Sequence, residues 1–162
     1  MTIETPAFEP WYRAEHPRLL ASMAVVVRDV EAAREITAEA FARALERWDR
    51  VSAMESPGGW TYRVALNLAR RRARRATLER RLLLRAAPAP VAVAAPAIDV
   101  WEAVTALPPR MRTAVALRYL GGLTEAEVAT TMGVAAGTVA ATLHDARHRL
   151  AALLSPEEVS HG

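Results

Sequence analysis

A chain of 162 residues, 52% of them apolar, can bury one medium core or two small ones, and no apolar run approaches the roughly 20 residues that span a bilayer. The amino terminus lacks the basic-then-apolar order of a signal peptide, so a cytoplasmic location is expected, and with no cysteine there is no disulfide, thiolate metal site or redox switch. The formal net charge of +3 rests on arginine alone, and its surplus lies before Arg85, which points to a polyanion partner for that half.

Residues before Pro10 read as a loose terminus. Trp11, Leu19, Leu20, Met23, Val26 and Val27 fit a buried helix that ends near Arg28 and Asp29, with Pro17 placed to start it. From Val30 to Trp48 an apolar stripe of Ala33, Ile36, Ala40, Phe41, Ala44, Leu45 and Trp48 predicts a second helix. Glu35, Glu39 and Arg43 step along its outer face. Taken alone they are a solvated face with ion pairs worth about 0.2–0.5 kcal/mol each. Asp49 to Glu55 is a polar connection, and Ser56-Pro57 is a helix start with serine capping and proline in the first turn.

The helix that follows is predicted to bury Val64, Ala65 and Leu68. Its second half carries Arg70, Arg71, Arg72, Arg74, Arg75, Arg80 and Arg81 against one carboxylate in the run, Glu79. Guanidinium groups at this density suit a phosphate backbone, to which they donate in a planar fork. Trp60 and Tyr62, just upstream, suit unstacked single-stranded bases. The competing reading is a core Trp60 beside a solvated arginine face.

Ala86 to Ala97, AAPAPVAVAAPA, has neither charge nor amphipathicity, and its three prolines favour a semi-rigid linker. The expected organisation is all-α, with one helical domain over 1–85, a linker over 86–98 and a second domain over 99–162.

The second domain contains the most complete local grammar. Pro108 and Pro109 open a helix that carries Val115 and Tyr119 at i, i+4, and Gly121 and Gly122 stop it through glycine's access to the left-handed conformation. Thr124 and Glu127 form a capping box, Gly133 ends that helix, and Val139, Leu143, Ala146 and Leu150 line one face of the next. This is a helix-turn-helix pattern, with a plain three-helix packing unit as the alternative. Phosphate-cradling loops, nucleophile turns and carboxylate pairs of enzymes are missing from the sequence. His144 and His148, with Asp145 between them, lack a third ligand of suitable spacing. No enzyme activity, cofactor, metal site or small-molecule substrate is expected.

Together these segments resemble a bacterial RNA polymerase sigma factor of the sigma-70 family, in its extracytoplasmic-function group, from about Trp11 to Leu154. Region 2 is matched by EAAREITAEAFARALERWDRV and SPGGWTYRVALNLARRRARR, and region 4 by LPPRMRTAVALRYLGGLTEAEVATTMGVAAGTVAATLHDARHRL. The resemblance implies core RNA polymerase and promoter DNA as partners, with an anti-sigma factor as a further candidate and no membrane. It places Glu35, Glu39 and Arg43 where the family docks on the β′ clamp helices, and assigns the β flap as a second polymerase contact. It places Trp60, Arg63, Asn67, Arg70, Arg71 and Arg74 where the minus-ten element is bound and melted. The loop Asp49 to Ser56 falls where a flipped base is held, and the linker would thread toward the RNA exit path.

The chain also departs from the family pattern. Ala38 stands where glutamine is common, and Leu66 where arginine is common. In the recognition helix Ala140, Thr142 and Asp145 replace basic residues. Loss of three contacts worth about 1–3 kcal/mol each is comparable with the roughly 4–10 kcal/mol separating specific from non-specific binding. Region 4 is therefore expected to bind a minus-thirty-five element weakly, reading it mainly through Thr138, His144 and Arg147.

Overall fold

The computed structural model describes residues 6–83 and 99–155, and among these every regular element is helical. The linker expected over 86–98, the first five residues and the tail from 156 lie outside the described residues.

Helix α1 spans Phe8–Val27, so Pro17 lies inside the helix instead of starting it. An interior proline removes the hydrogen bond to the carbonyl four residues back, and that deficit is normally a helix end. Here the turns before it are held by side chains. Phe8 and Trp11 pack on Trp48 at ring separations of 5.2 and 4.7 Å, and Tyr12 meets Phe41 edge-on at 4.9 Å. Arg28 closes α1 in the left-handed conformation at φ 59°, and Asp29 caps α2 (Val30–Glu46) by accepting from the Ala32 N–H at 3.1 Å. The short α3 (Trp48–Val51) leads into α4 (Pro57–Leu82), where Ser56 accepts from the Gly59 N–H at 3.0 Å and Pro57 occupies the first turn as expected.

The buried line of α4 is Thr61, Tyr62, Ala65, Leu66 and Ala69, while Val64 and Leu68 are only half-buried. The expected stripe was thus rotated by about one residue, because α4 is covered from two sides, by α1 and α2 and by the second half of the chain. Leu66 is a core residue at 3% exposure, which leaves no room for arginine there.

The second half begins with α5 (Val100–Thr105) and α6 (Pro109–Val115), which runs on into a π-turn over Ala116–Leu120. The Gly121 N–H bonds back five residues to the Ala116 carbonyl at 3.0 Å. That wider turn shifts the helical register, so Tyr119 is 51% exposed instead of sharing the buried line with Val115. Helix α7 (Glu125–Met132) has the full capping box, and α8 (Ala136–Leu154) buries Val139, Leu143 and Ala146.

The two glycines after the π-turn do different things. Gly122 takes the left-handed conformation at φ 67°, whereas Gly121 is right-handed at φ −76°. Gly121 is needed for space, since a Cβ there would lie 2.7 Å from the Leu117 carbonyl oxygen, 2.9 Å from Tyr62 Cε1 and 3.0 Å from Tyr62 Oη. Tyr62 belongs to the first half of the chain and Gly121 to the second. One continuous hydrophobic core joins the halves, running from Leu19 and Met23 through Tyr62 to Leu117, Val128 and Leu143. Arg112 crosses the same seam, donating to the Val26 carbonyl at 3.3 Å and to its own neighbour Leu107 at 3.2 Å. Burial, and then the nearby Arg28 charge, lower its pKa.

Among the described residues no hydrogen-bond partner meets the buried Tyr62 hydroxyl, and the neighbouring Ser22 hydroxyl donates to the Arg18 carbonyl at 2.8 Å. Tyr62→Phe keeps the ring and removes this stranded group. The variant should match or exceed the parent in urea denaturation, by up to about 1–3 kcal/mol. Burial pushes the Tyr62 hydroxyl up from 10.0 to about 12. The unfolded chain therefore ionises first, and the stability contributed below pH 10 is lost as pH rises through 12. Tyr62→Phe should flatten that part of the alkaline stability profile.

Candidate nucleic-acid and polymerase interfaces

Three surfaces carry the residues singled out in the sequence. The first is the face of α4 opposite its buried line. Positions 60, 63, 67, 70, 71 and 74 recur at three- and four-residue steps, which on a helix is one face. Arg63, Asn67, Arg70, Arg71 and Arg74 are exposed on it and Trp60 is half-buried at its start. The Ser56 cap and Pro57 fix where this face begins. Arg72, on the neighbouring edge, pairs with Glu35 of α2 at 3.1 Å. No other arginine of α4 meets a carboxylate within ion-pair distance among the described residues. Tyr62, grouped with Trp60 in the sequence reading as a stacking aromatic, is 1% exposed and cannot present its ring to a base.

The second surface lies on α2. Glu35 and Glu39 are exposed and Arg43 is half-buried, its Nε donating to Glu39 Oε1 at 3.0 Å. Such half-open pairs are worth little to stability and remain available to a partner. The structure adds Leu45, assigned in sequence to the buried stripe but 56% exposed. At roughly 100° per residue Leu45 stands about a third of a turn off the line through Ala33, Ile36, Ala40 and Ala44, a displacement readable from the numbering.

The third surface is α8. Thr138, His144 and Arg147 are all exposed, yet they do not converge. Nine residues separate Thr138 from Arg147, which puts them on opposite flanks, roughly 180° apart. Arg147 is also engaged: its Nε and Nη2 donate to Tyr119 Oη at 3.1 and 2.9 Å. The π-turn that exposes Tyr119 makes this contact possible, and nothing in the linear pattern announces it. Ala140, Ala141 and Asp145 occupy the outer face, so positive charge there is sparse. The His144 and His148 rings meet edge-on at 4.7 Å, and among the described residues no three metal-ligating side chains come together.

Tyr119→Phe should free the Arg147 guanidinium. We expect a stability change within about 1 kcal/mol, because the contact is exposed, together with faster solvent exchange of the Arg147 Nε–H measured by NMR.

Residues 11–79 match the family model for sigma-70 region 2, and residues 97–150 match that for sigma-70 region 4. The RNA polymerase sigma-E factor of Streptomyces coelicolor is 28% identical over 157 residues, covering 91% of this chain and 85% of that protein. The fold is similar to that of the sigma factor RpoE solved with the anti-sigma factor NepR from Bartonella quintana, with a TM-score of 0.77 at 20% identity over 91% of this chain and 96% of that one. It is also similar to CnrH solved with the cytosolic domain of CnrY, with a TM-score of 0.63 at 19% identity over 94% of this chain and 90% of that one. With both diagnostic regions present in order, on a two-unit helical fold that ends in a helix-turn-helix, the chain belongs to the sigma-70 family, in its extracytoplasmic-function group.

Proposed function

We propose that this sigma factor directs promoter-specific initiation by core RNA polymerase chiefly through region 2, taken as residues 1–85, with region 4, residues 99–162, in a lesser role. The observation that carries the reading is the single face of α4 bearing Trp60, Arg63, Asn67, Arg70, Arg71 and Arg74. Guanidinium groups along it neutralise the phosphates of the non-template strand, and Trp60 supplies the aromatic surface on which an unstacked base is held. Opening the duplex is disfavoured by the loss of stacking. A site that binds only the opened strand offsets that cost, and recognition and melting become one event.

Glu35, Glu39 and Arg43 form the proposed docking surface for the β′ clamp helices, and region 4 would meet the β flap. The minus-thirty-five element is read weakly, by Thr138, His144 and Arg147 on a helix whose other outer positions are small or acidic. An anti-sigma protein is proposed as a further partner. Sigma factors are regulatory proteins, and the chemistry of RNA synthesis stays with the polymerase.

The depleted recognition helix also favours a second reading, a degenerate factor that holds polymerase or a regulator without directing initiation. Run-off transcription with core polymerase on genomic fragments separates the two. Discrete transcripts with defined starts are expected, and polymerase binding without them supports the second reading.

The arginine face has its own test. Arg71→Ala with Arg74→Ala leaves Arg70 and its contact in region 4 undisturbed. For a single-stranded minus-ten oligonucleotide, loss of two phosphate contacts should reduce the magnitude of the slope of log K against log salt by about 1.4. An unchanged slope would place the strand elsewhere.

A further inference from the structure

A cavity of about 720 Å³ opens where the end of α1 and the start of α2 meet the second half of α4, the start of α6 and the end of α7. Its size is within the roughly 300–1,000 Å³ of small-molecule sites. The buried Val26, Leu66, Ala69 and Met132 form its floor, and no aromatic ring is among the lining residues. With no ring to stack on a planar base, this floor suits a saturated chain. Around it stand Arg70, Arg72, Arg80, Arg110 and Arg112, against one lining carboxylate, Asp29. Five positive charges and one negative around an apolar concavity focus a positive potential in it. Among the described residues only Arg72 of the five pairs with a carboxylate, Glu35, at 3.1 Å. Arg112, half-buried, donates through Nε and Nη1 to the Val26 and Leu107 carbonyls, and Arg70 donates through Nη2 to the Met132 carbonyl at 3.1 Å. A carbonyl accepts the hydrogen bond without neutralising the charge. Asp29 is itself engaged, its Oδ1 accepting from the Ala32 N–H. The lowered pKa of Arg112, from burial and the Arg28 charge, is what an uncompensated guanidinium shows.

We propose that this cavity is a binding site for a small amphipathic anion, a saturated aliphatic chain that ends in a carboxylate or phosphate head. The chain covers the apolar floor, and the head takes its place within the arginine rim. Guanidinium groups donate in a planar fork that matches both kinds of head, and such charge-assisted bonds are about twice as strong as neutral ones. Head and chain are both required by the chemistry of the site. An inorganic anion leaves the floor wet, a neutral amphiphile leaves the rim uncompensated, and a cationic one is repelled by it. The site is independent of the reading of α4 as the strand reader, since Arg80, Arg110 and Arg112 lie outside that face.

The test uses the full chain and the fluorescent fatty acid dansylaminoundecanoate, with every amphiphile kept below its micellar concentration. Saturable binding of the probe is expected, with displacement by dodecanoate and by dodecyl phosphate, whose relative affinities identify the preferred head. Dodecyl maltoside and dodecyltrimethylammonium should compete at least about tenfold more weakly, because neither accepts charge-assisted hydrogen bonds from the rim. At a hundredfold excess over its Kd, dodecanoate should raise the Tm by about 5 °C or more. Ala73→Trp fills the cavity from an exposed position on α4, and Arg110→Glu reverses an exposed rim charge. Each should weaken dodecanoate binding at least about tenfold, with circular dichroism showing helix content retained. Arg13→Glu, the same charge change at an exposed position of α1 outside the cavity, should leave the affinity unchanged. Absence of saturable binding, equal displacement by dodecyl maltoside, or an affinity that Arg110→Glu and Arg13→Glu change alike overturns the site. The two arginine variants decide the matter if Ala73→Trp fails to fold.

Discussion

The contact on which this structure turns is the approach of the Gly121 backbone to the Tyr62 ring. A Cβ at position 121 would sit within about 3 Å of that ring, closer than packed carbon atoms stand. Because the position is glycine, the turn after α6 settles onto α4, and the apolar surfaces of α1, α4, α6 and α7 close into one core. Dispersion and apolar burial fall off over fractions of an ångström, so a seam held open by even one methyl group would forfeit much of what holds it shut. The same contact buries the Tyr62 hydroxyl without a partner, so the seam carries a built-in opposing term.

Helix α4 reconciles two demands that conflict in most helices. Its inner line is built from small and apolar residues, Ala65, Leu66 and Ala69 among them, which lets neighbouring helices approach from two sides. Its outer face and last turns concentrate arginines that repel one another. That repulsion is tolerable because the guanidinium groups stand in water, where the dielectric is high and salt screens them. It remains available as binding energy when a polyanion replaces the counterions. Helix α8 has the opposite character. Its frame is sound, but alanines and Asp145 take its outer positions, and Arg147 is held by Tyr119. The proposed division of labour between the regions rests on where free positive charge could reach a phosphate.

Local features were the legible ones. The Ser56 and Thr124 caps, the proline in the first turn of α4, and the left-handed Gly122 and Gly133 each depend on residues within one turn of each other, and each stands where sequence reasoning put it. The arginine face of α4 was legible too, since helical periodicity alone decides which residues share a face. Misreadings arose where a distant element intervened. Pro17 lies inside α1 because Trp48 and Phe41 hold the turns before it. Tyr62 is core because Gly121 covers it, Tyr119 is exposed because a π-turn shifts the register, and Leu45 faces solvent because the helix is covered on a different side.

What the sequence determined by itself, then, is the set of helices, their caps and breaks, the helix-turn-helix frame and the arginine-rich face that a polyanion would meet. These follow from backbone sterics, capping hydrogen bonds and periodicity, all of which act within a few residues. Only the tertiary structure decided that the two regions share one core, that Tyr62 is unavailable to a base, and that Glu127 and the Met132 carbonyl stand against the face of α4. Those outcomes depend on contacts between residues 59 to 71 positions apart in the chain, where complementary shape, which leaves no periodic trace in the sequence, chooses the partner.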